Sequence, residues 1–177
     1  GAPVSVPIGS GICIRGPWPV ASAVARAVLA QLCLRHSSAQ IALVGTGSAA
    51  LGLDGFPHAG RPRRGAFRIA VVLGDHDPVE ASAQLRVCDP DGDVPEGITT
   101  VIDVADPLHA RLRWSGGAER VGVECLSHWQ AAGVAEVAGD REGEIAHLPD
   151  RVELADLADH RRGMGLAAAI GSTETAD

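Results

Sequence analysis

Short aliphatic runs separated by glycine- and proline-rich turns recur along the chain, a pattern that predicts buried strands joined by helices and loops. The strongest strand signal is FRIAVVL at residues 67–73, and shorter apolar runs lie at residues 12–14 and 40–45. Between the two short runs, residues 19–35 are nearly all helix formers or aliphatic, with Pro19 in the first helical turn. A strand, a helix and a second strand predict a right-handed parallel βαβ unit. We therefore expect these three strands to lie side by side in one sheet.

The second half of the chain predicts an antiparallel addition to this sheet. Residues 79–84 suit a short helix and residues 85–88 a short strand, and the apolar run 98–104 suits a further parallel strand. Residues 110–114 and 120–125 alternate in polarity on either side of a glycine turn, which is typical of a hairpin.

Weaker signals complete the element order. Residues 1–10 hold an edge strand or a lead-in, Ser127 suits the N-cap of a helix over residues 128–138, and residues 140–144 form a polar linker. With 177 residues, this is one α/β domain with a short appendage.

Composition narrows the function classes. Hydrophobic residues make up 46% of the chain but aromatic residues only 3%, so the interior is aliphatic, as in helix-covered parallel sheets. The net charge of −7 argues against nucleic-acid binding. The four cysteines have no metal-site spacing and indicate reduced, structural thiols in a cytoplasmic protein, with one disulfide or a reactive thiol as the alternative. Arg26 interrupts the most apolar run, so no membrane span is predicted, and no signal peptide is evident.

The junction between the first strand and the long helix carries the main candidate site. Arg15, Gly16, Pro17 and Trp18 stand where a nucleotide-binding βα unit would hold phosphate on free backbone N–H groups. A P-loop, however, requires G-x-x-x-x-G-K-[ST], and this chain contains no lysine. We therefore predict a three-layer, mostly parallel, P-loop-NTPase-like α/β sheet with helices on both faces and an antiparallel hairpin extension, whose phosphate loop is vestigial.

Two acidic turns are further candidates. Asp75 and Asp77 follow the strongest strand, at the position of a Walker B carboxylate, but Gly74 replaces the expected first acid. A solvated turn is favoured over magnesium ligation. Residues 89–93 (DPDGD) resemble the start of a calcium loop but lack the glycine and glutamate that an EF-hand needs at positions 6 and 12. We expect no catalytic residue, cofactor-binding residue or metal ligand in this chain.

Two surface features have open interpretations. The basic loop Arg61-Pro62-Arg63-Arg64 is either solvated or in contact with phosphate or an acidic partner. Trp18 could stack on a base, plug the empty phosphate position or contact a neighbouring domain, and the last two are favoured.

Several of these segments together resemble the FtsK/SpoIIIE-type ATPases, in particular the EccC/EssC group of type VII secretion systems. Gly16-Pro17 followed by AVARAVLAQLCLRHS looks like the family's first helix, and Phe56-Pro57-His58 is similar to its L-P-H triplet. Residues 148–157 (LPDRVELADL) resemble its connector, and residues 165–171 the strand before its first Walker A motif.

The resemblance implies a degenerate, non-catalytic domain ahead of the first true motor domain. Residues 1–140 would form the degenerate P-loop-like domain, and residues 141–177 a connector toward an ATPase domain, with both ends cut from a longer chain. ATP and magnesium would belong to the parent, a hexameric motor anchored in the bacterial membrane. Expected partners of this cytoplasmic part are the adjacent ATPase domain and a protein substrate rather than DNA, without direct membrane contact.

Two other hypotheses remain open. The chain could bind nucleotide through a non-standard loop in which Arg15 replaces lysine, since arginine grips phosphate well. It could also be a stand-alone protein-interaction domain or an accessory domain of a DNA translocase.

Overall fold

The computed structural model describes residues 3–145 and 167–173, with side chains described for residues 5–139. Its strands are β1 (Pro3–Pro7), β2 (Ile12–Arg15), β3 (Ile41–Val44), β4 (Phe67–Leu73), β5 (Ala83–Cys88), β6 (Thr100–Val104), β7 (Ala110–Trp114), β8 (Gly117–Gly122) and β9 (Ala167–Thr173). Its helices are α1 (Trp18–Arg35), α2 (Gly47–Ala50) and α3 (His128–Ile145), with a 3₁₀ turn at Pro57–Ala59.

The nine described strands form one mixed sheet in the order β1-β9-β8-β7-β6-β2-β5-β4-β3. The block from β6 to β3 is entirely parallel, and β7, β8, β9 and β1 extend it in antiparallel fashion. Within the seven strands from β8 to β3 the sheet is mostly parallel. The predicted α/β class, mostly parallel sheet and antiparallel hairpin extension are thereby confirmed.

The order of the parallel strands is the main difference from the sequence prediction. Strand β5 lies between β2 and β4, so β2 and β4 share a sheet but are not neighbours, whereas β3 and β4 pair directly. Numbered along the chain from β2, the parallel order is 5-1-4-3-2. This differs from the 3-2-1-4-5 order of dinucleotide-binding sheets and the 2-1-3-4-5 order of flavodoxin-like sheets, and it is consistent with a P-loop-like domain.

The main core lies on one face of the sheet, which we call the helix face. Alternate strand residues such as Ile12, Ile14, Ile69 and Val71 are buried there with α1. Helix α1 is covered on two sides, because the sheet lies against one side and α3 against another. This double burial explains why α1 is apolar around most of its circumference rather than along a single stripe.

The opposite face, which we call the loop face, has no described helix over it. Two small clusters lie there, one around Cys13, Cys88 and Val101 and one around Val44, Ala70 and Val72. Loop residues Val94 and Ala81 pack on them. The predicted second helical layer is therefore not found among residues 3–145 and 167–173.

Short connections between parallel strands explain why no described helix covers the loop face. The β4–β5 and β5–β6 connections span residues 74–82 and 89–99, below or near the length that a helical crossover needs, and both contain proline. The short helix predicted at residues 79–84 is accordingly wrong, since β5 already begins at Ala83.

The last described elements differ in length from the prediction. Helix α3 begins as expected after Ser127, whose hydroxyl accepts the N–H of Gln130 (3.2 Å) while the Gln130 side chain accepts the N–H of Ser127 (2.9 Å). The helix then continues through the predicted linker to Ile145. Strand β9, from the predicted connector, pairs with both β1 and β8. The connector motif at residues 148–157 lies outside the described residues.

Candidate functional site

The junction between β2 and α1 consists only of Gly16 and Pro17. Gly16 is buried, and its backbone N–H donates to the carbonyl oxygen of Cys88 (3.2 Å). A Cβ atom on Gly16 would lie 2.3 Å from the carbonyl oxygen of Val104. The glycine therefore lets the ends of β5 and β6 close around the end of β2, which leaves little room for a phosphate at this position.

The first turn of α1 has few amide groups to offer to an anion. The carbonyl oxygen of Pro17 accepts the N–H groups of Val20 (2.9 Å) and Ala21 (3.0 Å), and Pro19 has no N–H. A phosphate-binding helix start needs several of these groups directed at the ligand. Trp18 lies at the helix start and is 47% exposed, so it does not plug the junction as a buried side chain would.

Arg15 projects from the loop face, away from α1. Its Nε and Nη2 atoms donate to Oδ1 of Asp103 (2.7 and 2.6 Å), and its Nη1 donates to the carbonyl oxygen of Gly92 (3.1 Å). The other carboxylate oxygen of Asp103 accepts from Arg113 (2.8 and 3.0 Å). Because its guanidinium is bound in this network, Arg15 is not placed to replace the lysine of a phosphate loop.

Sequence reasoning did not find Asp103 and Arg113. The available signal was a single acid inside the apolar run of β6, together with an arginine at the end of β2. An isolated charge within a buried strand usually has a partner. That partner could not be named, since strand order determines which side chains are cross-strand neighbours.

The acidic turn after β4 is exposed and separated from β2 by β5. Arg86 holds its backbone by donating to the carbonyl oxygens of Gly74 (2.9 Å) and His76 (3.0 Å). In the part of the chain with described side chains, neither Asp75 nor Asp77 has a hydrogen-bond partner. The described residues also contain no group of three or more metal-ligating side chains.

The turn at residues 89–93 contacts a cation of the protein itself. The carbonyl oxygen of Gly92, a group of the kind that calcium loops use as a ligand, accepts from Arg15. The fixed positive charge beside this turn disfavours a bound divalent cation there.

All four cysteines lie within residues 5–139, where the structure contains no disulfide; Cys13, Cys33 and Cys88 are buried and Cys125 is half-buried. Cys13 and Cys88 lie on the neighbouring strands β2 and β5 with their sulfur atoms 3.7 Å apart. Burial, and then the neighbouring Cys88, raise the pKa of Cys13 to about 12. A thiol with this pKa stays protonated and is a poor nucleophile at neutral pH.

The basic loop lies beside a cavity at the opposite edge of the parallel block. This cavity of about 380 Å³ is lined in part by Ser38, His58, Arg61 and Arg63. His58 is buried, with ring atom Nε2 2.6 Å from the carbonyl oxygen of His36. Sequence reasoning singled out the arginines as a possible phosphate contact, and it named the histidine only as part of the Phe56-Pro57-His58 triplet.

Comparison with known protein families and with curated proteins gives no match. Among the described residues, no helix combines the length and apolar character needed to cross a bilayer.

Proposed function

We propose that this chain is a non-catalytic, P-loop-like domain of an FtsK/SpoIIIE-type ATP-driven translocase, similar to the EccC/EssC group of type VII secretion systems. The observation that carries the proposal is the closed β2–α1 junction. The amide of Gly16 bonds to Cys88, and the nearest cation, Arg15, bonds to Asp103. The junction thus retains the position of a phosphate loop without its free amides or cation.

The segments that resemble the family support the proposal through packing. In the triplet Phe56-Pro57-His58, the aromatic and imidazole rings are buried and meet edge to face with centroids 6.2 Å apart. The triplet therefore has a structural role in this domain, as expected if a family pattern persists after the catalytic loop is lost. We assign no catalytic residue to the chain.

The expected partner is the adjacent ATPase domain of the same polypeptide. Helix α3 offers a surface for it, because Trp129 (85% exposed) and Val137 (54% exposed) are eight residues apart and lie on one side of the helix. Exposed tryptophans are frequent anchors in protein interfaces. ATP, magnesium, hexamer formation, membrane anchoring and a protein cargo belong to the proposed parent.

Calorimetric titration of the 177-residue chain with ATP and magnesium tests the proposal. We expect no saturable binding attributable to the β2–α1 junction and no hydrolysis above buffer background. Micromolar affinity together with chemical-shift changes centred on Gly16 and Trp18 would instead establish the non-standard nucleotide-binding loop.

A further inference from the structure

We propose that the cavity lined by Ser38, His58, Arg61 and Arg63 binds a phosphate monoester. It is independent of the vestigial phosphate position, because it lies at outer strand β3, which β4 and β5 separate from β2. Its volume of about 380 Å³ is within the range of small-molecule sites.

Two arginines supply the positive charge. Arg61 and Arg63 flank Pro62, both line the cavity and both are exposed. Within residues 5–139, neither has an ion pair, unlike Arg15 and Arg113. Guanidinium groups are suited to phosphate because their planar N–H groups match the geometry of its oxygens.

His58 supplies the feature that separates phosphate from other anions. His58 is 4% exposed, and since a carbonyl only accepts, Nε2 carries a proton toward the carbonyl oxygen of His36. When the ring carries only that proton, Nδ1 is an acceptor, and it is buried without a hydrogen-bond partner in the described structure. An unsatisfied buried acceptor is unfavourable, and a ligand that brings a proton would relieve it.

A phosphate group fits both requirements. Its ionised oxygens suit Arg61 and Arg63, and near neutral pH it still carries or readily takes up one proton, which can be shared with Nδ1 of His58. Sulfate has the same shape but is fully ionised and brings no proton. A preference for phosphate over sulfate therefore indicates that the ligand is hydrogen-bonded to His58.

The test is a titration of the 177-residue chain with inorganic phosphate and with sulfate, followed by NMR of the backbone amides and of the His58 ring. We expect saturable phosphate binding with shifts at Ser38, His58 and residues 61–63, and at least about tenfold weaker sulfate binding. Arg61→Ala and Arg63→Ala should each weaken phosphate binding about tenfold or more.

Arg64→Ala is the matched control. It removes the same charge from the same loop, but Arg64 does not line the cavity, so affinity should stay within about twofold of the parent chain. His58→Gln keeps a donor for the carbonyl of His36 but lacks Nδ1, and it should abolish the preference for phosphate over sulfate. If this variant does not fold, the three arginine variants still decide the question.

Equal losses in Arg61→Ala, Arg63→Ala and Arg64→Ala would overturn the proposal in favour of diffuse attraction, and so would equal affinity for sulfate or absence of saturation. Glycerol phosphate and a phosphoserine peptide identify the source of the group, and whichever binds more tightly than inorganic phosphate is the assigned ligand class. ATP titrated into Arg61→Ala separates this site from the junction: binding that persists there contradicts the proposed function, whereas binding that is lost belongs to the cavity.

Discussion

Gly16 is in contact with the backbone of two neighbouring strands, so its lack of a side chain has a direct energetic consequence. Gly16→Ala would place Cβ 2.3 Å from the carbonyl oxygen of Val104, and the relief of this clash requires backbone movement at the centre of the sheet. We expect a loss of about 2 kcal/mol or more in the free energy of unfolding, measured by urea denaturation.

Gly133→Ala provides the comparison. Gly133 lies in α3, and a Cβ atom added to it would have nothing within 4 Å, so alanine should stabilise the helix by about 0.5–1 kcal/mol. If Gly16→Ala were as stable as the parent chain, the junction would be open enough for a ligand, and the argument for a closed phosphate position would fail.

Cys13 makes stability depend on pH in the alkaline range. Its pKa is raised from 9.0 to about 12 by burial and by Cys88, so the unfolded chain releases this proton at lower pH than the folded chain. Between pH 9 and 12 the folded state therefore binds more protons, and stability falls as pH rises. Below pH 9 the thiol is protonated in both states and contributes no slope.

We expect urea midpoints of the parent chain to fall from pH 8 to pH 10, and Cys13→Ala to show a shallower fall. Far-ultraviolet circular dichroism at each pH provides the transition curve. Identical slopes for the two proteins would show that another group controls alkaline stability.

Among the elements, α1 is joined to two other segments of the chain by the side chain of Arg26. Arg26 donates from Nε to the carbonyl oxygen of Leu51 (3.0 Å), after α2, and from Nη1 to that of Leu126 (3.2 Å), before α3. Burial lowers the pKa of Arg26, which is half-buried. The same residue that interrupts the apolar run of the sequence thus fastens three segments together.

Arg26→Met keeps most of the aliphatic stem but leaves both carbonyl groups without this donor. We expect a loss of about 1–3 kcal/mol and faster hydrogen exchange in the first turns of α3. Arg35→Met, at the exposed end of the same helix, should change stability by no more than about 0.5 kcal/mol. Equal effects of the two substitutions would mean that Arg26 acts only as a surface charge.

Elements whose own residues carry a clear secondary-structure signal were predictable, but the strands that pair with each other in the sheet were not. The aliphatic run of β4 and the Ser127 N-cap of α3 act through residues next to one another in the chain, and both were found at the expected positions. The insertion of β5 between β2 and β4 is a choice among pairings of similar apolar strands, which periodicity does not rank. The contact of Arg15 with Asp103 depends on that choice, since the two residues are 88 positions apart.

At the scale of the whole molecule, the sequence predicted a βα junction without phosphate chemistry but not what closes it. Absence of lysine is visible in the composition, whereas the approach of Val104 to Gly16 exists only after β6 joins β2. The cavity beside His58 also exists only in the folded chain, because it forms where β3, the 3₁₀ turn and the basic loop meet. Sites built from residues far apart in the chain require the fold to be known first.

The division of the chain at residue 140 stays a prediction, and the sheet offers a way to test it. Strand β9 lies between β1 and β8, so β1 has no other pairing strand in the described sheet. If residues 141–177 were only a connector, removing everything after Ile145 would leave stability unchanged. We expect instead that this truncation releases β1 and lowers the urea midpoint, because the backbone groups of two strands lose their partners.

Ala169→Pro tests the same point within the full chain. Ala169 pairs with Ser5 of β1, and proline there removes a backbone donor and distorts the ladder. Hydrogen exchange should then accelerate in β1 and β8 while β2 to β5 stay protected, whereas removal of residues 174–177 should leave all of these rates unchanged. Unaltered protection of β1 in Ala169→Pro would place the domain boundary before β9 and support the prediction that residues 141–177 are a connector. The reason is that a strand of this domain cannot lose its backbone hydrogen bonds without exposing the strands paired with it.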